Sequence, residues 1–206
     1  MNILIGCESS GIIREAFRKL GHNAYSCDLL PSDDNSPYHI QANILDVMSG
    51  PWDMLGFHPP CTYLCSSGLH WNNKDPLRKV KTAQALDFVR LLMQDTRPWY
   101  LENPVGRIGT TIRKADQLIQ PYQFGDDGSK LTGLWLNKLP LLIPTTRAKA
   151  RIAIYNGKPY ARWSNQSDRR NDLAVPGPLR WKIRSKSWPG IAQAMAEQWS
   201  NYLLTQ

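Results

Sequence analysis

Cys61 stands behind a pair of prolines in GFHPPCTYLCSSGLHW, residues 56–71. A cysteine kept only for packing is more often carried inside a helix or strand, whereas Pro59 and Pro60 would hold this thiol out on a stiff loop. Once deprotonated, with help from loop N–H groups or nearby cations, its sulfur is a nucleophile. Glu102, near the end of PWYLEN (98–103), is an acid able to supply or hold a proton opposite that sulfur. Gly6 and the turn after it (Cys7, Glu8, Ser9, Ser10, Gly11) let backbone N–H groups approach a ligand closely. Asp28 and Asp46 add two more carboxylates, each of which alone reads equally well as a cap or a solvated loop residue.

These residues need a frame that gathers them. NILIG (2–6), NAYSC (23–27), ANILDV (42–47), WDMLGF (52–57) and PWYLEN (98–103) read as short buried strands. GIIREAFRKLG (11–21) and PLRKVKTAQALDFVRLLMQD (76–95) read as amphipathic helices between them, with Gly21 stopping the first. This alternation predicts an α/β fold, a mostly parallel Rossmann-like sheet flanked by helices. In such a sheet ligands bind at the carboxyl ends of the strands, and Gly6, Asp28, Asp46, Cys61 and Glu102 all fall there. Asp28 is placed to accept hydrogen bonds from a ribose. The first turn is not GxGxxG and has no lysine, so a nucleoside without a pyrophosphate suits it better than a nucleotide. S-adenosylmethionine is the candidate this singles out. Further on, SKLTGLWLNKLPLLIP (129–144) and RIAIY (151–155) read as additional strands. SWPGIAQAMAEQWSNYLL (187–204) reads as a terminal helix, capped by Ser187 and with Pro189 in its first turn.

The 206 residues, 42% hydrophobic and 20% charged, fit a single domain, 1–206. Within it, 121–186 is expected to be a small basic irregular region and 187–206 a helix returning to the core. No run approaches the roughly 20 apolar residues of a membrane span. The start, MNILIGCESS, lacks the basic and long apolar regions of a signal peptide, and the four cysteines are expected to be reduced, so a cytoplasmic protein is anticipated. Cys7, Cys27 and Cys65 read as small core or loop residues, His22 and His39 as surface. Charge is uneven: residues 1–60 hold three basic against seven acidic side chains (−4), and residues 147–186 eleven against two (+9). The basic segment also carries Tyr155, Tyr160, Trp163 and Trp181. Basic groups among aromatics suit a phosphate backbone with unstacked bases; a solvated basic face is the alternative.

On these residues the chain resembles the cytosine-5 DNA methyltransferases, and among them the short members carried by phages and prophages. PPC after the fourth strand and LENP at the end of the fifth are similar to that family's Pro-Cys and Glu-Asn motifs. SWPGIAQAMAEQW resembles its last motif, and RAKARIAIY (147–155) its Gln-x-Arg-x-Arg strand, with Arg147, Lys149 and Arg151 at the three positions. The resemblance implies S-adenosylmethionine as cofactor, with contacts from Gly6, Glu8, Ser9, Ser10, Gly11, Asp28, Asp46, Pro60 and Gly190. It implies that Cys61 adds to carbon-6 of a flipped cytosine while Glu102 holds N3 and the amino group, Arg151 completing the catalytic set. Pro59, Asn103, Arg147, Lys149, Arg169 and Arg170 would meet the substrate, DNA before other nucleic acids, in the cytoplasm of a bacterial host. Only about 35 residues separate Arg151 from Ser187, where the family inserts a target-recognition domain. Sequence specificity is therefore expected to be short, weak, or supplied by a helper protein or a second copy in a homodimer.

Three other readings stand beside this one. The same chemistry could act on RNA or on a free cytosine nucleotide. His58, Cys61, Cys65 and His70 could instead form a zinc-stabilised binding module, although their spacing lacks a CxxC pair. A catalytically inactive cofactor-binding protein is the third.

Overall fold

The computed structural model describes residues 1–169, 173, 174, 177 and 180–206. NILIG forms β1 (Asn2–Gly6), followed by α1 (Ile12–Lys19), β2 (Asn23–Asp28) and β3 (His39–Gln41). The strand expected over 42–47 is not there. Asn43 accepts the Leu45 N–H at 3.1 Å and starts a short helix, α2 (Ile44–Val47). An Asn at this position offers the backbone a cap in place of a strand ladder, and so short an apolar run does not by itself distinguish the two. β4 (Met54–Phe57), α3 (Pro76–Leu92), β5 (Trp99–Pro104), α4 (Arg107–Thr111) and β6 (Gln117–Ile119) follow. Of 129–144 only β7 (Thr132–Asn137) is a strand, since Pro140 and Pro144 bring no N–H to a ladder. β8 (Arg151–Tyr155), β9 (Lys158–Arg162), α5 (Arg180–Ser185) and α6 (Pro189–Leu204) complete the described elements.

Seven strands form one sheet in the order β3-β2-β1-β4-β5-β7-β6. β1 to β5 run parallel, and β7 lies antiparallel to both β5 and β6. This is the expected α/β class, a mostly parallel Rossmann-like sheet flanked by helices. Its strand order reverses between β1 and β4, where ligands of open α/β sheets bind. β8 and β9 pair only with each other, as a separate hairpin. No described helix is long and apolar enough to cross a membrane.

Side chains alternate between the two faces of each strand. Ile3, Ile5, Met54, Tyr100 and Leu134 pack against Ile13 and Phe17 of α1 and Ile191, Met195 and Trp199 of α6. Leu4, Leu55, Phe57, Trp99, Leu101 and Trp135 pack on the other side against Leu86, Val89 and Leu92 of α3, with Ile44 and Ile108. That alternation puts Met54, Gly56, Tyr100 and Glu102 on the face covered by α1 and α6. Gly56 belongs there for want of space: a Cβ would lie 2.5 Å from Tyr100 ring and hydroxyl atoms.

α6 reaches this face without the cap expected from Ser187. Trp188 holds the N-cap position with no side-chain bond, and Asp126 instead accepts the Gly190 N–H at 3.0 Å. Gly190 itself is set by close packing, since a Cβ would meet the Phe124 carbonyl oxygen at 2.0 Å. His22, expected at the surface, is buried and bonds Ser200 of α6 at 2.7 Å. Trp199 is fully buried, donates to the Pro140 carbonyl at 2.9 Å and lies 4.8 Å from the Tyr100 ring. Trp199→Ala should therefore cost about 3–5 kcal/mol of stability, the usual range for removing a buried large aromatic. Urea unfolding monitored by circular dichroism, with the slope unchanged, checks it.

Candidate active site

The loop carrying Cys61 is fastened on both sides. His58, directly after β4, donates its N–H to the Gly6 carbonyl at 3.0 Å. Pro59 is buried, and its carbonyl accepts the Asn103 side-chain amide at 2.7 Å. Pro60 then leads into a 3-10 turn, Cys61–Tyr63, whose first carbonyl receives the Leu64 and Cys65 N–H groups at 3.0 Å. The Leu64 carbonyl accepts from Arg107 at 2.7 Å, tying the loop to the chain beyond β5. Pro59 and Asn103 were both expected to meet substrate; Asn103 is 1% exposed and its amide holds Pro59 in place.

Glu102 lies beside this loop. Its carboxylate is 3.2 Å from His58 Nδ1, and His58 Nε2 is 2.9 Å from the Tyr100 hydroxyl. Burial alone would push its pKa up, but the Lys130 ammonium, the His58 contact and the Thr132 hydroxyl outweigh this and bring it from 4.5 down to about 2. An ionised carboxylate can only accept, so Nδ1 of His58 carries the hydrogen between them. Lys130 and Thr132 arrive because β7 is antiparallel to β5: Thr132 pairs with Pro104, so the start of β7 meets the carboxyl end of β5. Ile13, His58, Glu102, Lys130, Trp188 and Met195 line a narrow cleft there. Sequence spacing singled out neither Lys130 nor Tyr100, and His58 only as a metal ligand.

Cys65 is more than the core or loop residue it reads as: its sulfur lies 3.2 Å from the Ser67 hydroxyl. It also interacts with Cys61. That interaction, burial and the neighbouring sulfur's charge push the Cys61 pKa up, while Lys130 opposes them. Cys65 is pulled below the usual thiol range, chiefly by the same interaction, with Ser67 and loop N–H groups assisting. Among the described residues no three His, Cys, Asp or Glu side chains gather as a metal site, and His70 is exposed in the Ser66–Asn73 turn.

The residues expected around a nucleoside divide. Glu8 turns inward, 4% exposed, and accepts the Ile13 and Arg14 N–H groups at 2.8 and 3.4 Å. It thus occupies the N-terminus of α1, where the backbone N–H groups were expected to approach a ligand, and Gly11 is that helix's N-cap. Ser10 bonds the same carboxylate at 3.3 Å, and the Ser9 carbonyl accepts from Asp33. Gly6, ending β1, is covered by Ile44. Asp28 stands at the end of β2, one oxygen taken by the Leu30 N–H at 2.9 Å. The loop beyond it is fixed by the fully buried Arg14, which pairs with Asp34 and bonds Ser26 at 2.8 Å. Asp46 is displaced from any strand end into the exposed side of α2; Asn43 stands nearer the end of β3. Ile13, Trp188, Ile191 and Met195 form the apolar wall of the cleft. Pro60 is exposed on the same rim, whereas Gly190 serves helix packing.

The strand that carries Arg151 lies outside the central sheet. Arg151, expected in the catalytic set, begins β8, where it pairs with Asp168 at 2.6 Å and donates to the Gln166 carbonyl at 2.8 Å. The cation beside Glu102 is Lys130 instead. Arg147 lies over the Tyr122 ring and Arg169 over Tyr155, at 5.5 and 5.9 Å, and Lys149 is exposed between β7 and β8. Arg170 lies outside the described residues.

No protein-family model and no curated protein matches this chain. Among solved structures it is similar to a crystal structure of a candidate DNA modification methyltransferase encoded within an E. coli prophage. The identity is 14% and the TM-score 0.49, over 72% of this chain and 52% of the other, so this chain spans about half that protein's length.

Two outcomes follow from the site's electrostatics. A carboxyl whose pKa falls on folding adds stability that is fully present above its unfolded value and lost as pH drops through the folded one. Wild type should thus lose stability relative to Glu102→Gln between about pH 4.5 and pH 2, measured by denaturant titration at each pH. At pH 7 iodoacetamide should alkylate Cys65 before Cys61, and Cys65→Ser should speed alkylation of Cys61 by removing the neighbouring sulfur charge; peptide mass spectrometry reads both.

Proposed function

We propose that this chain transfers a methyl group from S-adenosylmethionine to carbon-5 of cytosine in DNA through a covalent adduct on Cys61. The observation that carries this reading is the juxtaposition of a proline-held thiol with an ionised, cation-flanked carboxylate on the carboxyl rim of the sheet. Asp28 and the apolar wall of the cleft would hold the cofactor, which supplies an electrophilic methyl group when bound.

The protein's own groups do the rest. Pro59 and Pro60, locked by Asn103, aim the Cys61 sulfur at carbon-6 of the ring. The proton Cys61 gives up would pass to the neighbouring Cys65 sulfur, whose pKa is lowered by the interaction between the two. Lys130 stabilises the sulfur's charge as it develops and keeps Glu102 ionised until a ring nitrogen meets it. Addition at carbon-6 makes carbon-5 nucleophilic enough to take the methyl group, and loss of the carbon-5 proton then expels Cys61. A polymer is the favoured substrate because residues 147–186 carry +9 with aromatics among the basic groups. With only the β8–β9 hairpin in that segment's first half, sequence preference would rest on few contacts or on a second chain.

Duplex DNA containing 5-fluorocytosine should trap the protein in the presence of S-adenosylmethionine, as an adduct that survives denaturation. Cys61→Ser should give none, and Glu102→Gln should slow turnover on ordinary DNA by roughly 10²- to 10⁴-fold. Single-stranded DNA, RNA and dCMP run in parallel identify the substrate class. Unimpaired methylation by Cys61→Ser would sink the covalent reading.

A further inference from the structure

A difficulty inside the site points to one more residue. Electron density leaving the C5=C6 bond on attack at carbon-6 ends on ring nitrogen N3, which must gain a proton. Glu102 is the side chain proposed to meet N3, yet in the resting site it is ionised and has no proton to give. Its partner at 3.2 Å is His58, the residue type that changes charge between about pH 5 and 8.

We propose that His58 is a positioning residue that relays a proton through Glu102 to the cytosine ring, with Tyr100 as the pivot behind it. The inference rests on the cytosine methylation reading above. The sulfur lone pair of Cys61 forms the S–C6 bond, the C5=C6 pair moves to C4–C5, and the C4=N3 pair becomes the N3–H bond. That hydrogen comes from the Glu102 carboxyl, which takes one from Nδ1 of the His58 imidazolium. When Cys61 is expelled the electrons return, N3 gives its proton back to Glu102, and His58 is recharged.

The geometry suits both charge states of the imidazole. In the relay Nε2 keeps its hydrogen throughout, so Tyr100, 2.9 Å away, accepts from it in both the imidazolium and the neutral ring left when Nδ1 gives up its proton, without any heavy atom moving. The two rings meet edge to face at 5.5 Å, and Trp199 backs Tyr100 from α6. Charged and titratable groups face His58 from each neighbouring strand: Glu8 after β1, Tyr100 and Glu102 on β5, and Lys130 before β7. On the α6 side Ser187, Trp188, Ile191 and Met195 add no charge.

The test is the methylation rate on unmethylated duplex DNA with labelled S-adenosylmethionine from pH 5 to 9, for wild type, His58→Gln and Tyr100→Phe. Wild type should lose rate on the basic side as His58 deprotonates. His58→Gln should be slower by roughly 10²-fold at neutral pH and lack that basic limb, while still melting and binding cofactor as wild type does. If His58→Gln does not fold, Tyr100→Phe carries the test and should displace the limb along the pH axis. A basic limb of wild-type position in whichever of the two variants folds overturns the relay while leaving cytosine methylation intact. Wild type that labels no cytosine removes the reading on which the relay rests, so the two failures are told apart by the wild-type arm alone.

Discussion

A carboxylate kept ionised at the inner end of β5 is the constraint around which the rest of this structure is arranged. Removing such a charge from water is costly unless paired charges and hydrogen bonds replace the solvent. Glu102 obtains them from three directions: His58 at the end of β4, Lys130 before β7 and Thr132 within it. Each supplier depends on a different piece of the fold. His58 is in place because β4 pairs in parallel with β5, Lys130 because β7 runs the other way. Tyr100 steadies His58 only because Gly56 leaves room for its ring and Trp199 closes the space behind it.

The two halves of the site are built with different stiffness. The Cys61 loop is held by its prolines, by Asn103 from below and by Arg107 from beyond β5, so the sulfur can be aimed without a helix or strand beneath it. The proton-bearing groups, by contrast, are linked to one another, Cys61 with Cys65 through their titration and Tyr100 with His58 and Glu102 through hydrogen bonds. Rigid placement of heavy atoms with mobile protons is an arrangement suited to a reaction that adds and then expels the same nucleophile.

Charge is divided the same way. The first 60 residues carry −4, while residues 147–186 carry +9 and include the β8–β9 hairpin, whose strands pair only with each other. On that hairpin Ile152, Ile154 and Tyr160 remain exposed among the basic side chains. This is the surface that the proposed nucleic-acid substrate would meet.

What was legible in the sequence was whatever a residue's near neighbours decide. The runs at 2–6, 23–27, 54–57 and 99–104, the long helix from Pro76 and the terminal helix from Pro189 follow from local period, and with them the α/β class and the strand ends bearing Asp28, Cys61 and Glu102. Even locally, one side-chain cap at Asn43 was enough to turn an apolar strand pattern into α2 and move Asp46 off the rim. The cation beside Glu102 was not legible, because it depends on which strand lies next to β5 and in which direction. Arg151 sits in a strand of plausible pattern that pairs only with β9, whereas Lys130, 28 residues beyond Glu102, is carried to it by an antiparallel register. The pairing of Cys65 with Cys61, the inward turn of Glu8 and the bridge from Tyr100 through His58 are likewise tertiary. Hydrogen bonds and ion pairs act through space, and only the folded chain determines which groups share it.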